Sequence, residues 1–177
     1  LNIPIITFYV FSSENWKRPK KERSYLFKLI KSYFLKEIGS IIKQGIKLQI
    51  LGEVKKFSSN LKLVLKKSTL LTKKNKKIIV NLAINYGSRT EILKSAKKTR
   101  NNLSIKNINK NLYTKKMPDP DILIRTGGYQ RLSNFLLWQL AYTELFFSKK
   151  LWPDFNSNDL LKVIRQYKKI KRNYGNI

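Results

Sequence analysis

A phosphate-binding pattern stands in the second half of the chain, where two arginines flank a pair of glycines. Arg125 is followed by Gly127 and Gly128, and Arg131 is followed two residues later by Ser133. A guanidinium group is a permanently charged fork that binds phosphate oxygens, and glycine lets the backbone approach an anion closely. We therefore predict that the two arginines bind one phosphate or diphosphate, beside the Ser133 hydroxyl and a backbone N–H near a helix start. The alternative interpretation is a solvated loop next to a capped helix.

A second polar segment, residues 12–18, directly follows the first apolar run of the chain. It contains Asn15, Trp16 and Arg18. In open parallel sheets, ligands bind beyond the carboxyl ends of the strands, so this position favours a binding role. A capping asparagine and a packed tryptophan would explain the same residues without any ligand. The sequence leaves both interpretations open.

Glu144 is an unusual carboxylate, because its neighbours are aromatic or aliphatic and the chain has only 10 acidic residues. A carboxylate among apolar side chains must be paired, protonated or bound to a metal ion. Since the chain has 38 Lys and Arg residues, an ion pair explains Glu144 as well as a metal does. A site that offers only oxygen atoms and few carboxylates would suit Mg²⁺ held jointly by the protein and by substrate phosphates.

The apolar pattern predicts strands that alternate with helices. Strands are expected over four segments, 3–11, 46–51, 78–84 and 121–125, of which 3–11 and 78–84 are apolar enough to be buried on both faces. Helical spacing marks five more segments, 22–43, 57–71, 89–98, 103–112 and 158–171. The apolar segments 135–140 and 144–147 are expected to lie inside. We therefore predict a single α/β domain over residues 1–177, with a mostly parallel central sheet and helices on both faces.

The composition limits the class of protein. The absence of Cys and His excludes a disulfide framework, cysteine nucleophiles, histidine bases and the usual zinc sites. The net charge of +28 attracts polyanions such as nucleic acid, acidic lipid or phosphorylated metabolites. A nucleic-acid-binding module is disfavoured, because the basic residues are scattered and the aromatic residues lie mostly inside apolar runs. No apolar run approaches the roughly 18 residues of a membrane span, so a cytoplasmic location is expected.

Four blocks of the sequence closely resemble the cis-prenyltransferase family, in the family's order and with its spacing. The blocks are 8–16 with Arg18-Pro19, Asn85-Tyr86-Gly87 with Arg89 and Glu91-Ile92, 119–128 followed by 131–139, and Glu144-Leu145 with 152–155. The resemblance covers nearly the whole chain and is nearest to the bacterial undecaprenyl diphosphate synthases. It implies a homodimer that adds isopentenyl diphosphate repeatedly to an allylic diphosphate such as farnesyl diphosphate. The implied product is a long cis-polyprenyl (undecaprenyl) diphosphate, the precursor of the peptidoglycan lipid carrier, through which the enzyme would contact the membrane peripherally.

The resemblance also implies roles for the residues of the second half. Arg125, Arg131 and Ser133 would hold the diphosphate of isopentenyl diphosphate, and Leu132 belongs to the same substrate-binding segment. Glu144 would help to hold Mg²⁺, the implied cofactor. The chemistry of these residue types agrees with such roles, because cationic forks neutralise diphosphates and Mg²⁺ assists the departure of a diphosphate.

In the first half, the resemblance implies that Asn15 is the catalytic residue, since it matches the family's proposed proton acceptor. The substrate site would also include the residues around it and one loop acid: Ser12, Ser13, Glu14, Trp16, Arg18 and Glu22. Ile78 would lie near the floor of an apolar tunnel that limits product length. The apolar face of the 22–43 helix is either core or a wall of that tunnel: Tyr25, Leu26, Leu29, Tyr33 and Phe34.

The chain departs from the family's pattern near its two ends. The glycine-rich region Asp-Gly-Asn-Gly-Arg-Trp, which contains the principal Mg²⁺ ligand, has no counterpart here, so the strand and helix that precede residue 1 in the family are missing. The expectation is either a fragment of a longer protein or a shortened chain that is inactive. The family's C-terminal Arg-x-Gly is matched only by residues 173–175, with Arg172 one position early, and Gln130 replaces a metal-associated histidine. The alternatives are an inactive partner subunit of another prenyltransferase and a basic nucleic-acid-binding module.

Overall fold

Strands and helices alternate along the chain in two units, Leu1–Lys115 and Lys116–Ile177, each of which is described by itself. The computed structural model describes residues 2–172. The first unit contains β1 (Ile5–Ser12), α1 (Lys20–Lys43), β2 (Ile46–Leu51), α2 (Ser59–Leu71), β3 (Ile78–Tyr86), α3 (Ser88–Thr99) and α4 (Ile105–Asn111). The second contains β4 (Ile122–Arg125), β5 (Glu144–Phe147) and α5 (Ser157–Tyr167). The expectation of one domain over 1–177 stays a prediction.

All strand pairs in the described residues are parallel. The first unit has a three-stranded sheet in the order β1-β3-β2, and the second has a two-stranded sheet of β4 and β5. The predicted fold class, α/β with parallel strands, is therefore confirmed. Ser12 at the end of β1 lies opposite Tyr86 at the end of β3, and Leu51 at the end of β2 lies opposite Ala83. The polar segments that follow these strands consequently start from the same edge of the sheet.

The core of the first unit is formed by one face of α1, one face of α2 and the sheet. In α1, Ile30, Phe34 and Ile41 are buried at spacings of four and seven residues, as expected for an amphipathic helix. They pack with Leu61 and Leu65 of α2 and with further side chains from the strands. Although α1 has 24 residues, no helix within residues 2–172 is long and apolar enough to cross a membrane.

The expected burial of β1 on both faces is wrong, and the structure also bears on whether the apolar face of α1 is core or tunnel wall. In β1 only Phe11 is fully buried, whereas β3 buries most of its second half. The reason is position, because β1 is an edge strand of this sheet and β3 is its central strand. In α1, Phe34 belongs to the core, but the stripe Tyr25, Leu29 and Tyr33 is exposed by 71%, 53% and 59%. These three residues are therefore not core.

In the second unit, the apolar segment 135–140 contributes buried residues, as expected, whereas the segment 144–147 is not buried as a whole. Phe135, Leu136 and Leu140 are buried, while residues 131–140 form turns and no helix starts near Ser133. Residues 144–147 form the strand β5, which the sequence pattern did not predict as a strand. Because side chains alternate along a strand, Leu145 and Phe147 share one face, and that face is exposed.

Candidate substrate-binding site

The segment after β1 is a capped turn. Residues Ser13–Lys17 form a short 3₁₀ helix whose N-cap is Ser12. Ser12 Oγ accepts a hydrogen bond from the Asn15 N–H at 3.2 Å, and Asn15 Oδ1 accepts one from the Ser12 N–H at 2.9 Å. Because only an oxygen can accept from a backbone N–H, the orientation of the amide is fixed, with Nδ2 directed away from the cap. The capping interpretation of Asn15 is therefore correct, and it leaves a hydrogen-bond donor for a ligand.

Trp16 is both packed and hydrogen-bonded. Its ring stacks on Phe57 at 5.7 Å between centroids and meets Phe11 and Phe27 at 5.6 and 5.5 Å. Its Nε1 donates to Asn85 Oδ1 at 2.7 Å. An indole N–H shielded from water normally finds such a partner, and for the half-buried Trp16 the partner is 69 residues away in the sequence. The ring is thereby fixed in position.

The other predicted residues of this region, Ser13, Glu14, Arg18 and Glu22, lie near the turn but do not share one site. Ser13 lines the cavity at the carboxyl ends of the strands, whereas Glu14 is exposed. Arg18 and Glu22 form an ion pair of 2.8 Å in which both side chains are about half exposed. Exposed pairs of this kind contribute little to stability, on the order of 0–1 kcal/mol. Both side chains therefore remain accessible to a ligand at small energetic cost.

The cavity at the strand ends has a volume of about 340 Å³ and is bordered by two carboxylates. Glu91 is buried and accepts hydrogen bonds from Tyr86 OH at 2.5 Å and from the Tyr113 N–H at 2.6 Å. Glu53 accepts one from Tyr113 OH and lies 2.7 Å from Lys94 Nζ. Both carboxylates are thus held by tyrosine and lysine partners. Their role in this geometry is to fix the wall of the cavity.

Glu53 gives a testable pH dependence. The hydrogen bond from Lys94, and then the one from Tyr113, lowers the pKa of its carboxyl below the ordinary 4.5. A group with a lowered pKa in the folded state stabilises the fold above its unfolded pKa, and this stabilisation is lost as pH falls through the folded value. We expect Glu53→Gln to lower Tm at pH 7, and the gap to wild type to shrink as pH falls from about 5 to 3. Thermal unfolding followed by circular dichroism measures both.

The control for this prediction is Glu37→Gln, which removes the same charge from α1. Its Tm should stay close to that of wild type at pH 7. A gap between Glu53→Gln and wild type that is constant from pH 7 to 3 contradicts the assigned role of Lys94 and Tyr113.

The two predicted arginines of the second unit are brought together. Arg125 ends β4, and its Nη1 donates hydrogen bonds to Ser133 Oγ at 2.8 Å and to the backbone oxygen of Arg131. The guanidinium carbons of Arg131 and Arg125 lie 4.1 and 5.9 Å from the ring centre of Tyr129. Tyr129 thus forms a platform under both cations, a contribution the sequence analysis missed. Leu132, between Arg131 and Ser133, is half-buried.

The two glycines act differently from the expectation. Gly127 and Gly128 have φ of +88° and +79°, in the left-handed region, and they form a turn directly after β4. Their N–H groups donate to Lys150 O at 2.7 Å and to Ser148 O at 2.9 Å. They are therefore not available to an anion, which the arginine side chains must bind instead. Ser133 itself has φ +48°, in a turn rather than at a helix start.

The electrostatics of this cluster favour an anion. Partial burial, and then the neighbouring charge of Arg131, lowers the pKa of the Arg125 guanidinium, although an arginine stays protonated near pH 7. The carboxylates of residues 2–172 that form ion pairs do so with other cations, and none pairs with Arg125 or Arg131. Two like charges held together without a counter-charge are stabilised when an anion binds between them.

Glu144 faces a cation. Its Oε1 lies 4.0 Å from Arg172 Nε, and Arg172 Nη1 also binds Asp121 Oδ1 at 2.7 Å. Glu144 opens β5 opposite Ile122, so it is about 10 Å of strand away from Arg125. The part of the chain that the structure describes contains no group of three residues able to hold a metal ion. The residues present around Glu144 therefore do not by themselves fit a Mg²⁺ site, and residues 173–175 lie outside the described range.

Comparison with known proteins shows the family to which this chain belongs. The family model described as "Putative undecaprenyl diphosphate synthase" matches residues 1–175. The chain is 46% identical to an isoprenyl transferase of Rickettsia felis, over 99% of this chain and 76% of that protein. It is 41% identical to one of Clostridium perfringens, over 100% of this chain and 74% of that protein. The chain belongs to the undecaprenyl diphosphate synthase type of cis-prenyltransferases.

Solved structures agree with this assignment. A probable undecaprenyl diphosphate synthase from Campylobacter jejuni superposes with a TM-score of 0.90 at 32% identity, over 98% of this chain and 84% of that one. Lavandulyl diphosphate synthase from Lavandula x intermedia, in complex with dimethylallyl diphosphate, gives a TM-score of 0.93 at 30% identity, over 98% and 79%. The fold and the enzyme class, a cis-prenyltransferase, are therefore both confirmed.

Proposed function

We propose that the protein transfers isopentenyl units to an allylic diphosphate, with farnesyl diphosphate as primer, and makes a long cis-polyprenyl (undecaprenyl) diphosphate. In each cycle a carbon–carbon bond forms as the allylic carbon–oxygen bond breaks, the diphosphate leaves, and one proton is lost. The observation that carries the proposal is the pair Arg125 and Arg131, two cations on one tyrosine platform with no carboxylate partner within residues 2–172. The product would serve as precursor of the peptidoglycan lipid carrier.

The guanidinium pair would bind the diphosphate of isopentenyl diphosphate. Arg125 is already oriented by Ser133 Oγ and by the Arg131 backbone oxygen, so little side-chain freedom is lost when the anion binds. Arg131 is held over Tyr129, and the Ser133 hydroxyl offers a further contact. Such oriented cations place the substrate and neutralise its charge without reorganising during the reaction. Leu132 would line the same pocket.

In the first unit, we assign the turn 12–16 to the reacting end of the substrates. Asn15 would lie at the proton that is removed, with one lone pair of Oδ1 engaged by Ser12 and the other open. An amide is a weak base, so the proton would pass on to the departing diphosphate. Arg18, which is accessible in its ion pair, would contact the allylic diphosphate, and Glu22 would orient the Arg18 guanidinium. Ser13 and Glu14 would complete the site.

An apolar stripe on α1 supports the existence of a channel for the growing chain. Tyr25, Leu29 and Tyr33 are spaced by four residues and exposed on one side of the helix. Exposed aromatic and aliphatic residues in such a row are suited to a hydrocarbon ligand. Ile78 begins β3, about 26 Å of strand away from Tyr86 at the other end. A product that grows along the sheet would reach it last, which supports Ile78 as a length limit.

Mg²⁺ is the proposed cofactor, and it would enter with the substrate diphosphate. Mg²⁺ usually keeps several waters and takes one or two carboxylates together with substrate phosphates. When bound, it would neutralise charge on the leaving diphosphate. Since Arg172 faces Glu144, the contribution of this carboxylate to the metal stays a prediction.

We also propose a homodimer in the cytoplasm whose product meets the membrane surface. The second unit exposes large apolar residues within β5 and on either side of it, which a partner subunit would cover: Tyr142, Leu145, Phe147, Leu151 and Trp152. Sedimentation equilibrium tests the dimer, since it should give twice the mass of the denatured chain. A single-chain mass at micromolar concentration would exclude it.

The proposed function is tested by isopentenyl transfer with the full-length protein as its own cells produce it. Radiolabelled isopentenyl diphosphate, farnesyl diphosphate and Mg²⁺ should give a butanol-extractable polyprenyl diphosphate, and removal of divalent cations by EDTA should abolish its formation. No transfer under these conditions contradicts the proposal. Transfer that appears only after mixing with an intact homologue would instead indicate a partner subunit. Affinity for nucleic acid that falls steeply between low and moderate salt would indicate the alternative binding module.

A further inference from the structure

Asn85, near the carboxyl end of β3, connects the ends of three strands. Its side-chain Oδ1 accepts the hydrogen bond from Trp16 Nε1 at 2.7 Å, and its Nδ2 donates to the backbone oxygen of Glu53 at 2.6 Å. Its own backbone oxygen accepts the Glu53 N–H at 3.2 Å. Trp16 stands in the turn after β1, and Glu53 stands just after β2. One side chain therefore holds the two neighbouring turns to the central strand.

The conformation of Asn85 is adapted to this connection. Its φ is +49°, in the left-handed region that few residues other than glycine and asparagine adopt readily. The residue is only 7% exposed, so its amide needs protein partners for both its oxygen and its nitrogen. No other side-chain type supplies an acceptor for Trp16, a donor for Glu53 and tolerance of this φ at the same length. The position thus requires asparagine for a geometric reason.

We propose that Asn85 is a positioning residue of the transferase site, which fixes the turn carrying Asn15 by holding the ring of Trp16. The inference rests on the proposed function. Trp16 follows Asn15 directly, and both belong to the turn capped by Ser12. The ring of Trp16 is packed against Phe57 on one side and bonded to Asn85 at its edge, so it anchors the turn that carries Asn15. In this proposal Asn85 acts through Trp16 and not on the reacting atoms.

The test uses Asn85→Gly in the full-length protein. Glycine accepts a φ of +49° without strain, so the variant removes the side chain and leaves the backbone conformation available. We expect kcat for isopentenyl transfer to fall about tenfold to a hundredfold, because a small displacement of a reacting group acts on the transition state. KM for isopentenyl diphosphate should change less than about threefold, since ground-state binding is retained.

A double-variant cycle separates positioning from general weakening of the fold. Trp16→Phe keeps the ring in the aromatic cluster but removes the N–H that Asn85 accepts. Both single variants break the bond between Trp16 and Asn85, and Asn85→Gly also removes the bond to Glu53 O. If the Trp16 bond carries the effect on catalysis, kcat of the double variant should be about that of the worse single variant. The matched control is Asn75→Ala, which removes a 2.7 Å bond from Asn75 Nδ2 to Ile46 O at the amino end of β2. It should lower Tm and leave kcat unchanged.

A spectroscopic signature reports the contact directly. The chain has three tryptophans, so the indole N–H signals are resolved in a ¹H–¹⁵N spectrum and the one lost in Trp16→Phe belongs to Trp16. This N–H should exchange slowly with solvent in wild type and rapidly in Asn85→Gly.

The outcomes distinguish this inference from the proposed function. An active wild type together with an Asn85→Gly variant of unchanged kcat overturns the role of Asn85, as do multiplicative effects in the double variant. A wild type that transfers no isopentenyl group overturns the proposed function, and with it the positioning role of Asn85 in the transferase site. In that case the exchange rate of the Trp16 N–H still decides whether Asn85 holds the ring.

Discussion

Replacing Arg125 by alanine should lower kcat/KM for isopentenyl diphosphate by about a hundredfold to a thousandfold. The change removes a guanidinium that Ser133 and the Arg131 backbone orient, and it leaves Arg131 as the remaining cation of the pair. The hydrogen bonds in question are charge-assisted and directed at a diphosphate, the class for which losses are largest. Steady-state transfer of radiolabelled isopentenyl diphosphate at fixed farnesyl diphosphate measures the effect. If the pair binds the substrate equally in the ground state and in the transition state, the loss should appear mainly in KM.

Two further variants test whether geometry or charge alone is responsible. Arg125→Lys keeps the charge but cannot make the forked contacts, so it should retain only about a tenth of the wild-type kcat/KM. Arg165→Ala removes one exposed positive charge from α5 of the same unit and should leave kcat/KM nearly unchanged. If Arg165→Ala and Arg125→Ala lower kcat/KM equally, the net charge rather than the pair attracts the substrate. That result would remove the observation on which the proposed function depends.

The second large effect concerns stability and is expected for Gly52→Ala. Gly52 has φ +119°, and a Cβ at this position would lie 2.3 Å from the backbone oxygen of Ile84 and 3.0 Å from that of Asn85. Neither backbone oxygen can move away easily to relieve this clash, because both belong to the central strand β3. Overpacking and an unfavourable φ together should lower the free energy of unfolding by about 3–4 kcal/mol. Thermal unfolding should show Tm lower by about 10 °C.

The chain offers a matched control at Gly39. This glycine lies within α1, and a Cβ added there meets no atom within 4 Å. Gly39→Ala should therefore raise the free energy of unfolding by about 0.5–1 kcal/mol, through better helix propensity and a less flexible unfolded chain. A Gly52→Ala protein with wild-type Tm would show that the turn after β2 can move away from β3. The close packing of the two strand ends would then not be required for folding.

The sequence predicted those parts of the fold that depend on local pattern. The bounds of β2 agree at both ends, since an alternating run between Gly45 and Gly52 leaves little freedom. The helix α1 was placed two residues too late, because Lys20 and Lys21 are polar and follow Pro19, although a helix can begin directly after proline. The strand β5 was missed because four residues with one acid show no clear period. Local pattern therefore gave the order of the elements better than their limits.

For the candidate site, the residue types were predictable and their contacts were not. Arg125, Arg131 and Ser133 are close in sequence, so their proximity followed from spacing. The platform under the two arginines was missed, although an aromatic residue two positions before Arg131 is a usable signal for a cation–π contact. The bond between Trp16 and Asn85 joins residues 69 positions apart, and only the parallel register of β1 and β3 brings them together. Tertiary contacts of this kind have no local signature.

The contacts of Arg172 can form only late in the synthesis of the chain, so the second unit gains them last. Arg172 binds Asp121, Tyr167 and the backbone oxygen of Tyr142, so the sheet of β4 and β5 is fastened by a residue near the end of the described chain. An isolated pair of strands is only marginally stable in water. The second unit begins at Lys116, so about 57 of its residues must be synthesised before Arg172 is present. At the usual rate of about 5–20 residues per second, the nascent second unit spends on the order of 3–11 s without the contacts of Arg172.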